Sequence, residues 1–257
     1  MAEITTNNLL YLILAIGMAS AAGVIGSFAI MRRLTLASDP ISHVALPGLG
    51  AALLLQINPF LGGAFTLLAG AIIIWQLEKR TNLSTDVLVG VIFSLALAVG
   101  TLITPSEELI ETLLGSYTAI SLPEVVIGLL TSVLIIGFIL YQKPKFTLSM
   151  LSPELAKTSG LNTSRLNLYF LLAFVITILL GLRYLGVLLM GSLIIIPAAV
   201  GKNLGRSLNS MIVISVVAAI LSTALGLLTA SQLELEPGPT IIIVAAILFF
   251  ISLLLRK

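Results

Sequence analysis

Long apolar stretches separated by short polar turns dominate this sequence. Nine such segments can be distinguished, and most are close to the roughly 20 residues that a helix needs to cross the hydrocarbon core of a membrane. In chain order, the segments are 9–31, 38–56, 60–77, 87–103, 123–141, 166–182, 185–201, 207–229 and 240–255. The pattern predicts an all-α membrane protein, a polytopic bundle of about nine transmembrane helices. Because proline and glycine interrupt some segments, a count of about eight to ten helices is also compatible with the pattern.

Composition narrows the class further. Of the 257 residues, 58% are hydrophobic and 9% are charged, whereas a soluble domain carries about 25% charged residues. The spans use nearly the whole chain, so residues 1–257 are predicted to form a single transmembrane domain. The start, MAEITTNN, lacks the basic region of a cleaved signal peptide, so we expect the first segment to be retained as a span. Without cysteine, neither disulfides nor thiolate ligands can form.

The cationic residues sort to one side of the predicted membrane. If the N-terminus is outside, twelve of the 13 Lys and Arg residues fall in cytoplasmic turns or at the C-terminus, and Arg183 is the exception. The twelve are Arg32, Arg33, Lys79, Arg80, Lys143, Lys145, Lys157, Arg165, Lys202, Arg206, Arg256 and Lys257. The positive-inside rule therefore predicts an external N-terminus and a cytoplasmic C-terminus. The cations form no basic block, so the sequence gives no indication of nucleic-acid binding.

The second segment carries the only histidine of the chain. Asp39 and His43 are four residues apart, so on a helix both side chains project from the same face. A carboxylate and an imidazole in this arrangement can bind a divalent metal or form one step of a proton relay. Two structural alternatives remain: Asp39 can cap the helix in the run Ser38-Asp39-Pro40, and His43 can be a hydrogen-bonded core residue.

Two prolines interrupt spans. Pro47, followed by Gly48, lies in the second segment and Pro197 in the seventh, and each removes a backbone hydrogen bond and favours a kink or break. Broken helices at membrane depth line protein-buried or water-filled cavities. Glu124, after Pro123 at the external start of the fifth segment, either stabilises the helix dipole or attracts cations at an external mouth.

The longest polar connection, residues 142–165, contains the run SPELAKTSGL. It predicts a short helix with Ser152 as N-cap, Pro153 at the first position, Glu154 next and Gly160 as terminator. A helix of this size fits a groove on another protein, and the alternative is a simple linker. Because the chain has no P-loop, HExxH or G-x-S-x-G motif, we expect it not to be an enzyme.

Several motifs together resemble one family. They are RRLTLASDPISHVALPGLG, LEKRTNLSTDVLVGVIFSLALAVG, LLGSYTAIS, SPELAKTSGL and YLGVLLMGSLIIIPAAV. In this order they resemble the membrane subunits of prokaryotic ATP-binding-cassette importers for manganese, zinc or iron. The resemblance implies that Asp39 and His43 lie on the translocation path and that the short helix, through Glu154, Ala156 and Gly160, couples to the ATPase. It also gives Glu124 a placement similar to that of an acidic residue of the family.

The resemblance implies a set of partners. These are a second copy of the chain, two cytoplasmic ATPase subunits, an external metal-binding protein and the lipid of the cell membrane. The metal would be cargo rather than a resident cofactor. Oxygen and nitrogen donors suit manganese, iron or zinc and disfavour copper(I). Two other functions remain open: a proton-coupled secondary metal transporter, and an ABC permease for a metal chelate such as a siderophore.

Overall fold

The computed structural model describes residues 2–34, 37–81, 83–104, 121–182 and 186–255, with backbone alone for residues 2–8, 187 and 188. The described residues are all-helical, and they contain no strand. The helices are α1 (Ala2–Met31), α2 (Ser38–His43), α3 (Leu46–Leu54), α4 (Pro59–Arg80), α5 (Thr85–Ile103), α6 (Leu122–Leu151), α7 (Pro153–Thr158), α8 (Thr163–Leu182), α9 (Gly186–Leu204), α10 (Leu208–Leu233) and α11 (Pro237–Leu254).

Seven of these helices are long and apolar enough to cross a membrane: α1, α4, α5, α6, α8, α10 and α11. Of the other two predicted spans, the second is divided between α2 and α3, and the seventh corresponds to α9, which has 19 residues. The all-helical membrane architecture is confirmed, and the number of nine crossings stays a prediction. The acidic stretch around Glu108 and the turn at Arg183 lie outside the described residues.

The second segment is not the single helix that its hydropathy suggests. It breaks at Val44 and Ala45, and Pro47 follows in the first turn of α3. Proline suits that position because its missing N–H needs no partner there. The break expected at Pro197 does not occur, since α9 continues through it. Neighbouring helices can support a proline inside a membrane helix, so Pro197 can kink α9 without breaking it.

The fifth span is longer than its hydropathy predicts. Helix α6 continues past Tyr141 and Pro144 to Leu151, so the first ten residues of the expected polar connection are helical. Packing explains the extension: Phe146 is fully buried and its ring makes edge contacts with those of Phe28 and Phe170. Tertiary burial thus outweighs the cost of a proline within the helix.

Helices α1 and α9 occupy the centre of the bundle. Helix α1 packs against α6, α8, α9 and α10, and α9 packs against α1, α2, α8, α10 and α11. A methyl group at Gly26 of α1 would overlap the carbonyl oxygen of Ile194 in α9. The hairpin of α3 and α4 is equally close, because a methyl group on either Gly48 or Gly62 would overlap the other's carbonyl oxygen. Small residues therefore bring these helix backbones together, as is common in membranes.

Four helices end in the same hydrogen-bonded turn. At the ends of α1, α3, α7 and α10, the residues Arg33, Gln56, Gly160 and Glu234 adopt left-handed φ values of 61°, 55°, 78° and 54°. In each turn the next residue's N–H donates to a carbonyl five positions back, as in Leu34 N to Ala29 O. Glycine adopts this conformation without strain, whereas other residues incur a cost of about 1–2 kcal/mol.

Candidate functional site

The Asp39 and His43 side chains lie together, as their spacing predicts. Both belong to α2, and the distance from His43 Nε2 to Asp39 Oδ1 is 3.8 Å. The His43 ring packs against Phe93 of α5, with ring centroids 5.6 Å apart. The helical spacing therefore places a nitrogen and an oxygen donor on one face, and an aromatic side chain from another helix supports the imidazole.

One hydrogen bond and a glycine hold α2 against α9. The Ser38 hydroxyl donates to the carbonyl oxygen of Gly191 at 3.3 Å, whereas the Ser42 hydroxyl donates to Ser38 O within α2 at 2.6 Å. A Cβ atom on Gly191 would lie only 3.2 Å from the Asp39 Cα. Because α9 offers no side chain at this point, the backbone that carries Asp39 can lie directly on it.

Asp39 is not the N-cap of α2, contrary to the capping alternative. Ala37 occupies that position, and Asp39 is the second residue of the helix. No side chain caps the helix with a hydrogen bond. The carboxylate still lies in the first turn, where it favourably meets the helix dipole.

The two side chains differ in exposure. In the single chain the Asp39 side chain is 53% exposed and that of His43 is 16% exposed. The buried His43 Nδ1 has no hydrogen-bond partner within the described part of the chain. Packing on Phe93, rather than a bond to this nitrogen, therefore fixes the ring. The described part of the chain leaves this carboxylate uncovered, and at the centre of a bilayer it would cost about 2.5–3.5 kcal/mol to expose it to lipid.

The geometry suits a shared ion. Divalent metals bind histidine nitrogen and carboxylate oxygen at about 2.0–2.2 Å, so donors 3.8 Å apart can both reach one ion slightly off the line between them. Among the described residues, no group of three or more His, Cys, Asp or Glu side chains could hold a metal. Within this description the chain offers two strong donors, fewer than the four of a structural zinc site.

Glu124 has a defined structural partner. Its Oε2 accepts hydrogen bonds from the backbone N–H and the hydroxyl of Ser121, both at 2.9 Å. The two residues form a capping box at the start of α6. This geometry favours the structural role for Glu124, and its predicted role at a cation entrance stays a prediction.

The predicted cytoplasmic helix is present as α7. Ser152 is at its N-cap without a side-chain cap bond, Pro153 is its first residue, and Gly160 ends it in the left-handed conformation. Ala156 is fully buried against its own chain, whereas Glu154 is exposed. Leu155 exposes 59% of its surface. Ala156 therefore seats the helix on the bundle, and Glu154 and Leu155 are available to another protein.

The structure contains a polar network at the end of α4 that the sequence pattern does not predict. Arg32 donates to Asn167 Oδ1, the Asn167 amide donates to Glu78, and the Thr85 hydroxyl also donates to Glu78, at 2.8 Å. The Arg32 guanidinium lies 4.5 Å from the centroid of the Phe170 ring. The network joins α4, α5 and α8 to the turn after α1.

Burial affects the pKa of Arg32 without removing its charge. It lowers the pKa of Arg32 to about 10, and the nearby Glu78 carboxylate partly opposes this effect. At neutral pH the guanidinium still carries its charge. The only sequence signal for the network was a carboxylate, Glu78, among the cations of a turn.

Comparison with known proteins identifies the family. Residues 4–256 match the ABC 3 transport family. The chain is 29% identical to the high-affinity zinc uptake system membrane protein ZnuB of Haemophilus influenzae, over 91% of each chain. It is 28% identical to the manganese transport system membrane protein MntC of Listeria monocytogenes, over 95% of this chain and 88% of that protein. The solved structure of PsaBC from Streptococcus pneumoniae in complex with Fab aligns with a TM-score of 0.81 at 27% identity, covering 94% of this chain and 89% of that chain. The protein is thus a multi-pass cell-membrane protein that belongs to the ABC 3 transport family.

Proposed function

We propose that this chain is the transmembrane subunit of an importer that moves a divalent transition metal ion, manganese, zinc or iron, into the cytoplasm. A separate ATPase would supply the energy, since the sequence contains no P-loop. Its relatives in a zinc uptake system and a manganese transport system support this class of cargo.

The pair of Asp39 and His43 carries the proposal. It supplies one oxygen and one nitrogen donor within reach of a single ion. Two protein donors bind an ion firmly enough to strip part of its hydration shell but too weakly to trap it, which transport requires. The exposed face of Asp39 would line the route of the ion between two copies of the chain.

The proposal also assigns positions to the ATPase and to the metal-binding protein. The cation distribution favours an external N-terminus, so α7 would lie on the cytoplasmic side. There Glu154 and Leu155 would contact the ATPase, and Ala156 and Gly160 would hold α7 in position. An external metal-binding protein would deliver the ion at the opposite face.

Metal uptake by variants of the pair tests this function. The chain should be reconstituted in vesicles with its ATPase and binding protein, and the uptake of radioactive manganese and zinc measured. We expect Asp39→Asn and His43→Gln each to reduce uptake on the order of tenfold or more, because loss of even an indirect metal partner has such an effect. Assembly of the complex and its ATPase activity should persist.

Asp86→Asn provides the matched control. Asp86 is an exposed carboxylate in the first turn of α5, and uptake should not change when it is neutralised. Wild-type uptake by both pair variants would refute the site. Uptake that continues without ATP but requires a pH gradient would instead establish a proton-coupled carrier.

A further inference from the structure

A cavity separate from the Asp39 and His43 pair opens at the end of the bundle near α7. Its volume is about 620 Å³. The turn after α1, the end of α4, the start of α5, the end of α6 and the start of α8 form its walls. Met31, the last residue of α1, lines the cavity, as does Lys79, the residue before the end of α4. Because apolar spans of this kind end at the membrane surface, we place the cavity at the level of the lipid headgroups.

The described lining of this cavity is cationic. It includes Arg32, Arg33 and Lys79 but a single carboxylate, Glu78. Glu78 already accepts hydrogen bonds from Thr85 and Asn167. Neither Arg33 nor Lys79 forms an ion pair within the described residues. The pair of Asp39 and His43 is the only ion pair found in this part of the chain. Two positive charges on the rim are thus uncompensated by this part of the chain.

Further polar groups surround these charges. The hydroxyl-bearing side chains Ser149, Thr163 and Ser164 line the cavity, and the buried Nε of Arg32 has no hydrogen-bond partner among described residues. The Lys79 ammonium lies 4.2 Å from the centroid of the Trp75 ring, which keeps it at the rim. Arginine, lysine and hydroxyl donors together are the groups that bind phosphate oxygens.

Arg33 occupies the left-handed position that ends α1, where glycine would be free of strain. Gln56 and Glu234 adopt the same conformation at the ends of α3 and α10, so the strain itself does not indicate a function. The exposed guanidinium of Arg33 lines the cavity.

We infer that this cavity binds a phosphate group, supplied by the headgroup of an anionic membrane lipid or by free phosphate. Arg33 and Lys79 contact the phosphate from the rim, and the hydroxyl groups complete its hydrogen bonds. Its position at the end of the spans favours the lipid, as basic pockets between helices at the cytoplasmic surface bind anionic headgroups. Met31, Leu34 and Met150 offer an apolar wall to the rest of that lipid.

Lipid retention tests the inference. The full permease should be purified in nanodiscs of phosphatidylglycerol or of phosphatidylcholine, and its unfolding midpoint and lipid retention by native mass spectrometry compared. We expect phosphatidylglycerol to raise the midpoint of the wild-type protein. Arg33→Gly and Lys79→Gln should each lower its retention about fivefold, the effect of one cation near a membrane surface.

Two matched variants separate binding from folding. Gln56→Gly relieves the same left-handed strain at the end of α3 without removing a charge, and Arg165→Gln removes an exposed cation that is not part of the cavity lining. Both should retain phosphatidylglycerol like the wild type. Arg33→Gly should also fold normally in phosphatidylcholine, because glycine suits its backbone better than arginine does.

A second set of unfolding measurements distinguishes the two sources of phosphate. Inorganic phosphate is added in phosphatidylcholine, with chloride at matched ionic strength as the reference. Stabilisation by phosphatidylglycerol alone identifies a lipid site, and stabilisation by inorganic phosphate as well identifies a site open to either source. If both cavity variants keep the full lipid response, the inference is wrong. It is also wrong if the only effect of the variants is that the ATPase subunits no longer co-purify with the permease.

Discussion

Asn167 connects two opposite charges that belong to different parts of the chain. It accepts a hydrogen bond from Arg32 and donates one to Glu78, and all three side chains are partly buried. The amide provides both an acceptor and a donor, which a single apolar or charged side chain cannot do. Its removal leaves two ionised groups without this partner.

We therefore expect Asn167→Ala to lower the free energy of unfolding by about 1–3 kcal/mol, the cost of leaving buried polar groups unpaired. Chemical unfolding in detergent measures it. Asn209→Ala is the control, because Asn209 accepts a hydrogen bond from Lys143 at an exposed site, where such a contact contributes about 1 kcal/mol or less. An equal loss in the two variants would contradict the role assigned to the network.

The two polar groups of residues differ in how far the sequence predicts them. Asp39 and His43 are four positions apart on one helix, so the helical period alone brings them together. Arg32 and Asn167 are separated by 135 positions, and Glu78 and Asn167 by 89. Such pairs depend on how whole helices pack, and one sequence contains no period that specifies this packing.

Helices α3 and α4 meet backbone to backbone at Gly48 and Gly62. We expect Gly48→Ala or Gly62→Ala to lower the free energy of unfolding by about 1–3 kcal/mol, since an added methyl group would overlap the facing carbonyl oxygen. The midpoint temperature of thermal unfolding and the rate of metal uptake should both decrease. Gly90→Ala and Gly137→Ala are the controls, because open space surrounds both positions. Equal effects at all four glycines would show that helix contact is not the cause.

Helix α7 presents two neighbouring side chains in opposite environments. Leu155 is exposed, and Ala156 is completely buried. We expect Leu155→Asp to reduce ATPase co-purification and metal uptake without lowering the unfolding midpoint, as it alters only the proposed docking surface. Ala156→Asp should destabilise the permease itself because it buries a charge.

Leu235→Asp is the matched control for Leu155→Asp. Leu235 is a similarly exposed leucine beyond α10, on the predicted external side. The change there should leave ATPase binding intact. Loss of the ATPase from this variant, or its full retention by Leu155→Asp, would contradict the proposed docking surface.

Hydropathy predicts most helix positions in this chain because an apolar run of suitable length has few alternatives in a membrane. It fails where tertiary contacts decide. Helix α6 continues through a polar run because Phe146 is buried between other aromatic rings, and the second segment divides before Pro47 rather than at it. Pro197 shows the converse, a local breaking signal that the surrounding helices override.

The orientation of the whole molecule is open to a direct measurement. The chain contains no cysteine, so a single introduced thiol reports on one position. We expect Ser159→Cys to react with a membrane-impermeant maleimide only in inside-out vesicles and Ser231→Cys only in intact cells. Both serines are exposed, and the cation distribution places them on opposite sides. Labelling of both positions from the same side would contradict the predicted topology, since the two serines would then lie on one side of the membrane.

The glycine contact between α3 and α4 has a mechanical consequence. These two helices cannot slide past each other without collision of their backbones, so they move as one rigid body. Trp75 of α4 donates to the carbonyl oxygen of Ser164 at 2.8 Å, near the start of α8 and just after α7. In the proposed importer, a push on α7 would therefore travel through α8 and the paired helices to the two-residue break at Val44 and Ala45. The two donors on α2 lie directly beyond that break.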